Sequence, residues 1–132
     1  PFEITDAGIG TLVQLKELRT LKLEYCWTIT DNALSNLSNL HHVSLLGCRL
    51  ISDSGIVKLM TQSPELRTLN VLFSHAGMET ILTAIHIAAR RKRIPLTLTI
   101  DYRRKQDVAE FLDNYPKPPL FKFGTFRSLC TE

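Results

Sequence analysis

Cysteine and histidine are the residue types in this chain that could bind a metal or act as a nucleophile. The 3 cysteines are Cys26, Cys48 and Cys130, and the histidines nearest to Cys48 are His41 and His42. Local zinc ligands are typically two to four residues apart, whereas these histidines precede Cys48 by six residues or more. The spacing argues against a zinc site. Cysteines without pairable spacing are typical of a reducing compartment.

A cysteine–histidine nucleophile pair is the other chemistry that these residue types allow. His75 and His86 are the remaining histidines, and no oxyanion motif accompanies either of them. The sequence also contains no Gly-x-Gly-x-x-Gly, no P-loop and no His-Glu-x-x-His. We therefore expect a non-catalytic protein that holds neither a metal nor a cofactor.

Two basic clusters, 90–93 and 103–105, contain seven of the 16 Lys and Arg residues. They bracket a predicted strand, and this places them at opposite ends of one structural unit. A nucleic-acid surface needs a contiguous basic face with aromatic side chains for stacking, and the net charge of +3 is modest. The clusters favour an acidic protein partner, or solubility, over nucleic acid.

The elements that position these residues follow from a repeat. The segment Leu18–Cys26 returns as Leu40–Cys48 and as Leu66–Ser74, with apolar residues at the first, fourth and sixth positions. Ile, then Thr or Ser, then Asp occurs at residues 4–6 and again after each of the first two copies, which predicts a capped helix at each of these places. Spacings of 22 and 26 residues are typical of leucine-rich repeats. Such units bury their apolar face only by stacking, and stacking leaves a regular concave surface.

The combined pattern Leu-x-x-Leu-x-Leu-x-x-Cys-x-x-Ile-Thr-Asp-x-x-Leu over residues 4–78 resembles the cysteine-containing repeat of F-box/leucine-rich-repeat proteins. The resemblance implies an α/β solenoid, a right-handed β–α superhelix like that of ribonuclease inhibitor. It would have about four short parallel strands and a C-terminal cap. Cys26 and Cys48 are then structural residues whose small side chains face the backbone of a turn.

We assign residues 1–104 to the repeats, with the chain starting within one, and residues 105–132 to a capping helix and tail. This start suggests the C-terminal part of a longer protein. Periodicity predicts a helix from about 76 to 91, a fourth strand over 95–100 and a last helix over 105–115. The apolar tail 120–126 has three alternative placements. We favour packing on the last helix. The alternatives are an added edge strand of the sheet and folding back over the concave face.

Alternation of strand residues predicts which side chains face the concave side. One column of side chains across the strands is polar and small. The next column contains Leu46 and Leu72 and is flanked by aromatic residues at the strand ends, which form an aromatic rim. An apolar strip of this kind is typical of protein–protein hot spots. The alternative is that Phe121 or Phe123 of the tail covers the strip. The predicted partner-binding residues are Lys22, Glu24, Tyr25, His42, Ser44, Leu46, Asn70, Leu72, Phe73, Thr99, Asp101 and Tyr102.

The resemblance implies the substrate-recognition region of an F-box-type ubiquitin ligase adaptor in the cytoplasm or nucleus. In such a complex an F-box, absent from this chain, docks the cullin–RING core. The repeats hold the protein destined for proteasomal degradation, and partner enzymes perform the catalysis. The alternative is a leucine-rich-repeat scaffold or assembly factor, for example a mitochondrial one, with no role in ubiquitin conjugation. No segment resembles a membrane span or a signal peptide.

Overall fold

The computed structural model describes residues 4–101, 110 and 113–124. In chain order the elements are α1 (Asp6–Gly10), a 3-10 helix (Thr11–Gln14), β1 (Thr20–Lys22), α2 (Asp31–Leu34), β2 (His42–Ser44), α3 (Asp53–Gln62), β3 (Thr68–Asn70), α4 (Met78–Arg90), β4 (Leu96–Thr99) and β5 (Phe121–Gly124). Strands and helices alternate from β1 to β4, which confirms the predicted α/β class. The predicted fourth helix and fourth strand are also confirmed within a few residues.

All strands of the described sheet are parallel and follow the order β1-β2-β3-β4-β5. Their register matches the sequence frame, because Leu21 pairs with Val43, Val43 with Leu69, and Leu69 with Leu98. These apolar residues are buried and face the helices. The core therefore lies between one face of the sheet and the helices, and we call the opposite face the outer face.

The tail forms β5, which pairs with β4 and extends the sheet at its edge. The Leu96 amide donates to the Leu120 carbonyl at 2.8 Å, and the Ile100 amide donates to the Gly124 carbonyl at 3.1 Å. Of the predicted placements, the edge strand is the one found over residues 121–124, rather than packing on the last helix alone. An otherwise unpaired edge of β4 explains this outcome, since its backbone groups need partners. Most of the predicted helix 105–115, and residues 125–126 of the tail, lie outside the described residues.

The aspartates at the helix starts join neighbouring units of the chain. Asp31 accepts two hydrogen bonds from Ser52, from the amide at 2.8 Å and from the hydroxyl at 2.5 Å. Asp6 binds the amide and hydroxyl of Thr30 in the same way. Each carboxylate lies in the first turn of its own helix, as predicted. Its hydrogen bonds also connect that turn to the residue that precedes the next helix.

The capping role predicted for the Thr and Ser residues is only partly right. Thr5 accepts from the Gly8 amide and Thr30 from the Asn32 amide. Ser52 accepts no capping hydrogen bond at the start of α3, although its hydroxyl donates to Asp31 as that of Thr30 donates to Asp6.

The third unit lacks the cysteine-loop segment, and its capping changes accordingly. Asp53 Oδ1 accepts from the amides of Gly77 at 2.8 Å and Thr80 at 3.2 Å, and from the Thr80 hydroxyl at 2.5 Å. A carboxylate of the preceding unit therefore caps α4, whose N-cap residue is a glycine without a side chain. The same inter-unit link persists although the local sequence differs.

Candidate partner-binding surface

Strand register brings four of the predicted site residues into one row across the outer face. Lys22 pairs with Ser44, Ser44 with Asn70, and Asn70 with Thr99. His42 lies in the parallel row beside Thr20 and Thr68. The predicted alternation is therefore correct, and these side chains share the face that points away from the helices.

Several polar side chains of this face bind one another. His42 Nδ1 and Thr68 Oγ1 are 2.9 Å apart. The buried Ser44 donates to Glu24 Oε1 at 3.4 Å. Asn70 Oδ1 accepts from the Leu72 amide at 3.0 Å. Part of the predicted polar column thus supports the sheet, whereas the side chains of Lys22, Glu24 and His42 remain exposed.

The prediction of an exposed apolar strip through Leu46 and Leu72 is wrong. Leu72 is only 2% exposed although it lies outside the main core cluster, and Leu46 is half-buried. The Gly47 amide donates to the Leu72 carbonyl at 2.8 Å, which continues the β2–β3 ladder beyond the strand ends. On the other side the Val71 amide donates to the Thr99 carbonyl at 2.8 Å, so the segment 71–72 has bonded neighbours on both sides, whereas Glu24 follows the edge strand β1. The alternation of residues along one strand does not reveal whether neighbouring segments bury a side chain.

The alternative cover for the strip is also excluded for residues 121–124. Phe121 pairs with Leu96 and belongs to the buried core, and Phe123 packs against the same core. The two rings have centroids 5.7 Å apart on that side of the sheet. Neither phenylalanine therefore covers Leu46, Leu72 or Phe73 on the outer face.

The aromatic rim lies in the turns that follow the strands. Tyr25, Gly47 and Phe73 occupy equivalent frame positions and have φ angles of 57°, 75° and 58°. This left-handed conformation is uncommon for residues with a side chain. It turns the chain away from the sheet, and Tyr25 and Phe73 are 57% and 43% exposed. Their prediction as surface residues is confirmed.

Glycine at position 47 fits the rim for two reasons. Its φ angle favours glycine, and a Cβ atom there would lie 2.4 Å from Cδ1 of Tyr25. The tyrosine ring therefore rests against the backbone of the next turn.

Sequence reasoning missed three exposed residues in the same loops. Trp27 and Leu50 are 62% and 54% exposed, and the guanidinium carbon of Arg49 lies 5.7 Å from the centroid of the Trp27 ring. Loops have no period, so alternation could not find them. The available signal was their place directly after Cys26 and Cys48 in the frame.

These loops follow the carboxyl ends of neighbouring parallel strands and therefore lie along one edge of the sheet. We call the group formed by Tyr25, Trp27, Arg49, Leu50 and Phe73 the carboxyl-edge patch. Trp, Tyr and Arg are enriched in protein–protein hot spots, and Tyr25, Trp27 and Arg49 of this group are all exposed. Tyr102, the remaining predicted rim residue, lies outside the described residues, while Thr99 and Asp101 are half-buried.

The two described cysteines have structural contacts. Cys48 is buried, and its thiol donates to the Leu23 carbonyl at 2.6 Å. Burial raises the pKa of the Cys48 thiol to about 11. Burial also raises the pKa of Cys26, whose thiol lies 3.7 Å from the Glu24 carbonyl oxygen. Both thiols stay protonated near neutral pH, and a nucleophile needs the thiolate.

Comparison with models of known protein families gave no match. Within residues 4–101, 110 and 113–124, no three His, Cys, Asp or Glu side chains converge to hold a metal ion. Across the same part of the chain, no helix has the length and apolar character needed to cross a bilayer.

Proposed function

We propose that this chain is a protein-binding leucine-rich-repeat solenoid whose partner docks on the carboxyl-edge patch. Three features support the solenoid: parallel strands in matching register, recurring left-handed turns, and aspartates that link each unit to the next. Each unit buries its apolar face against its neighbours, as stacked repeats do.

The exposed aromatic side chains of the carboxyl-edge patch are the observation that carries the proposed function. Tyr25 and Trp27 are separated by one residue, and both contact the following loop, through Gly47 and Arg49 respectively. These contacts limit the conformations that the rings adopt before a partner arrives. Preorganised aromatic groups lose less conformational entropy on binding, so more of their burial contributes to affinity. The exposed Lys22, Glu24 and His42 would form a polar margin on the outer face.

We extend the proposal to the substrate-recognition region of an F-box-type ubiquitin ligase adaptor acting in the cytoplasm or nucleus. This step depends on the resemblance of the cysteine-containing repeat, with Cys48 bound to the backbone of the preceding unit at the Leu23 carbonyl. The chain would position a protein for ubiquitin transfer and would itself perform no chemistry. The raised pKa values of Cys26 and Cys48 agree with a non-catalytic role.

The test is affinity purification of the full-length protein from cells, followed by mass spectrometry. Tyr25→Asn, Trp27→Ser and Phe73→Asn are combined in one variant, since asparagine tolerates the left-handed turn at positions 25 and 73. Leu15→Ser is the matched control, because Leu15 is similarly exposed before β1, at the other edge of the sheet.

The proposal predicts that cullin and its adaptor co-purify with the wild type and with both variants. A further protein should co-purify with the wild type and Leu15→Ser but be lost from the patch variant. Absence of the ligase core from all three would overturn the ubiquitin proposal and leave a repeat scaffold. An unchanged set of partners in the patch variant would overturn the assignment of the patch.

A further inference from the structure

A groove runs between the carboxyl ends of α3 and α4, on the helical side of the sheet. Its volume is about 500 Å³, and its apolar wall includes the buried Met60 and the half-buried Ile87. A second hollow of about 240 Å³ continues past Pro64 to Lys92 and Arg93. Clefts that bind ligands typically span about 300–1,000 Å³. The combined depression is large enough for several side chains of a partner.

Arg91 gives this groove a fixed wall. Its guanidinium group donates to the Pro64 carbonyl at 2.7 Å and also to the carbonyls of Leu66 and Ile94. These bonds hold the end of α4 against the loop before β3. Arg91 is therefore a structural residue, although the sequence places it in a basic cluster.

The remaining cations of the cluster face solvent. Arg90, Lys92 and Arg93 are exposed, and so is His86 one turn before Arg90 on α4. Among the described residues none of these four forms an ion pair, and no carboxylate lines either hollow. Glu65, the acidic residue that acts on Arg91, lies 3.4 Å from His41 Nε2. The groove thus combines an apolar wall with a rim of uncompensated positive charge.

We propose that this groove binds an acidic peptide segment of a protein partner. An apolar side chain of the segment packs against Met60 and Ile87, while its carboxylates face Arg90, Lys92 and Arg93. A peptide fits better than a nucleic acid, because the described lining contains no Phe, Tyr or Trp for base stacking. Charge complementarity of this kind accelerates association and excludes basic competitors.

This surface is distinct from the carboxyl-edge patch. The helices run back from the carboxyl ends of the strands to their amino ends, and Arg91 contacts the Leu66 carbonyl just before β3. The groove therefore lies towards the amino edge of the sheet. Its occupation does not depend on the proposed ubiquitin role.

The test is fluorescence anisotropy with the whole chain and a labelled synthetic peptide of repeated Glu-Glu-Leu-Leu units. A peptide with Gln in place of Glu and a single-stranded oligonucleotide serve as competing probes. The groove variant combines Arg90→Ser, Lys92→Ser and Arg93→Ser, and retains Arg91. The matched control removes equal charge elsewhere through Lys16→Ser, Lys117→Ser and Lys122→Ser, all exposed positions outside the groove and the carboxyl-edge patch. A further variant, Ile87→Ser, tests the apolar wall, and thermal unfolding of each variant checks that it folds.

We expect the acidic peptide to bind the wild type and the charge control alike, with Kd raised about tenfold or more in the groove variant and in Ile87→Ser. Equal weakening by both charge variants would mean general electrostatic attraction and would overturn the proposal. Equal binding of the Gln peptide, or an unchanged Kd in Ile87→Ser, would overturn it as well. Tighter binding of the oligonucleotide, weakened by the same groove variant, would replace the peptide with a nucleic acid.

Discussion

Single carboxylates hold adjacent units of this molecule together. Asp31 lies in the first turn of α2 and accepts from both the amide and the hydroxyl of Ser52 before α3. The fit is close, since a Cβ atom on Gly55 would lie 2.5 Å from Asp31 Oδ1. Charged acceptors make stronger hydrogen bonds than neutral ones. The aspartate therefore stabilises its own helix and the junction with the next.

Asp31→Ala should lower the free energy of unfolding by about 2 kcal/mol, because it leaves the Ser52 amide and hydroxyl without their acceptor. Asp31→Asn should cost less, since the amide oxygen still accepts one bond. Urea unfolding measures both. Glu17→Ala is the control, because the carboxylate of Glu17 is solvent-exposed at 3.8 Å from Arg19 and should contribute little. Equal effects of Asp31→Ala and Glu17→Ala would contradict the role of the aspartate.

Gly47→Ala should destabilise the protein by at least about 1 kcal/mol, because the residue has a positive φ angle and the new Cβ atom would collide with the Tyr25 ring. Gly10→Ala is the matched control. Gly10 has φ −57°, and a Cβ atom there would have nothing within 4 Å. That change should be neutral or stabilise by about 0.4–1 kcal/mol. Thermal unfolding compares the two, and similar losses would argue against a special role for position 47.

The buried Cys48 thiol should make stability depend on alkaline pH. Its pKa of about 11 lies above the ordinary value of 9.0, so the folded state favours the protonated form. The resulting stabilisation is fully present below pH 9 and is lost as the pH rises towards 11. Cys48→Ser keeps a donor for the Leu23 carbonyl but removes this titration. Unfolding free energies from pH 8 to 11 should fall more steeply in the wild type, by on the order of 2 kcal/mol. Parallel profiles would contradict the assignment.

At the scale of elements, the edge strand β5 completes the sheet with a segment that the repeat frame does not include. Phe121 is buried beside Leu96, whereas the neighbouring Lys122 is exposed. Phe121→Ala should destabilise the protein by about 3 kcal/mol through lost packing. Lys122→Ala should have little effect. Chemical denaturation measures both variants, and a small loss for Phe121→Ala would indicate that β5 is not part of the cooperative core.

Strands β1 to β3 could be predicted from the sequence because their inward residues repeat in a fixed frame, and β4 could be predicted because its apolar residues alternate. Leu21, Val43, Leu69 and Leu98 form one buried row as expected. The same reasoning failed for Leu72, because the burial of a side chain at a strand end depends on neighbouring segments and not on alternation alone.

Residues of the candidate site could be predicted only at positions that belong to the repeat frame. Tyr25 and Phe73 were found because they end strands, whereas Trp27, Arg49 and Leu50 lie in loops without periodicity. The bond between Ser52 and Asp31 was also missed, because it joins residues 21 positions apart. Contacts between units depend on stacking, and the sequence of one unit does not record them.

At the scale of the whole molecule, the two proposed surfaces lie at opposite edges of the sheet. Tyr25 and Trp27 follow the carboxyl end of β1, while Arg90 and Lys92 lie at the end of α4, before the amino end of β4. The row of Lys22, Ser44, Asn70 and Thr99 crosses the outer face between them. This separation would let the two proposed partners bind without competition.

Site-specific photo-crosslinking in cells tests whether the carboxyl-edge patch binds a protein. Benzophenone-bearing residues replace Trp27 or, as the control, Leu15 in the full-length protein. Position 27 should give one discrete crosslinked protein that Phe73→Asn abolishes, and position 15 should give no such adduct. No adduct from position 27, or the same adduct from both positions, would contradict binding by the patch.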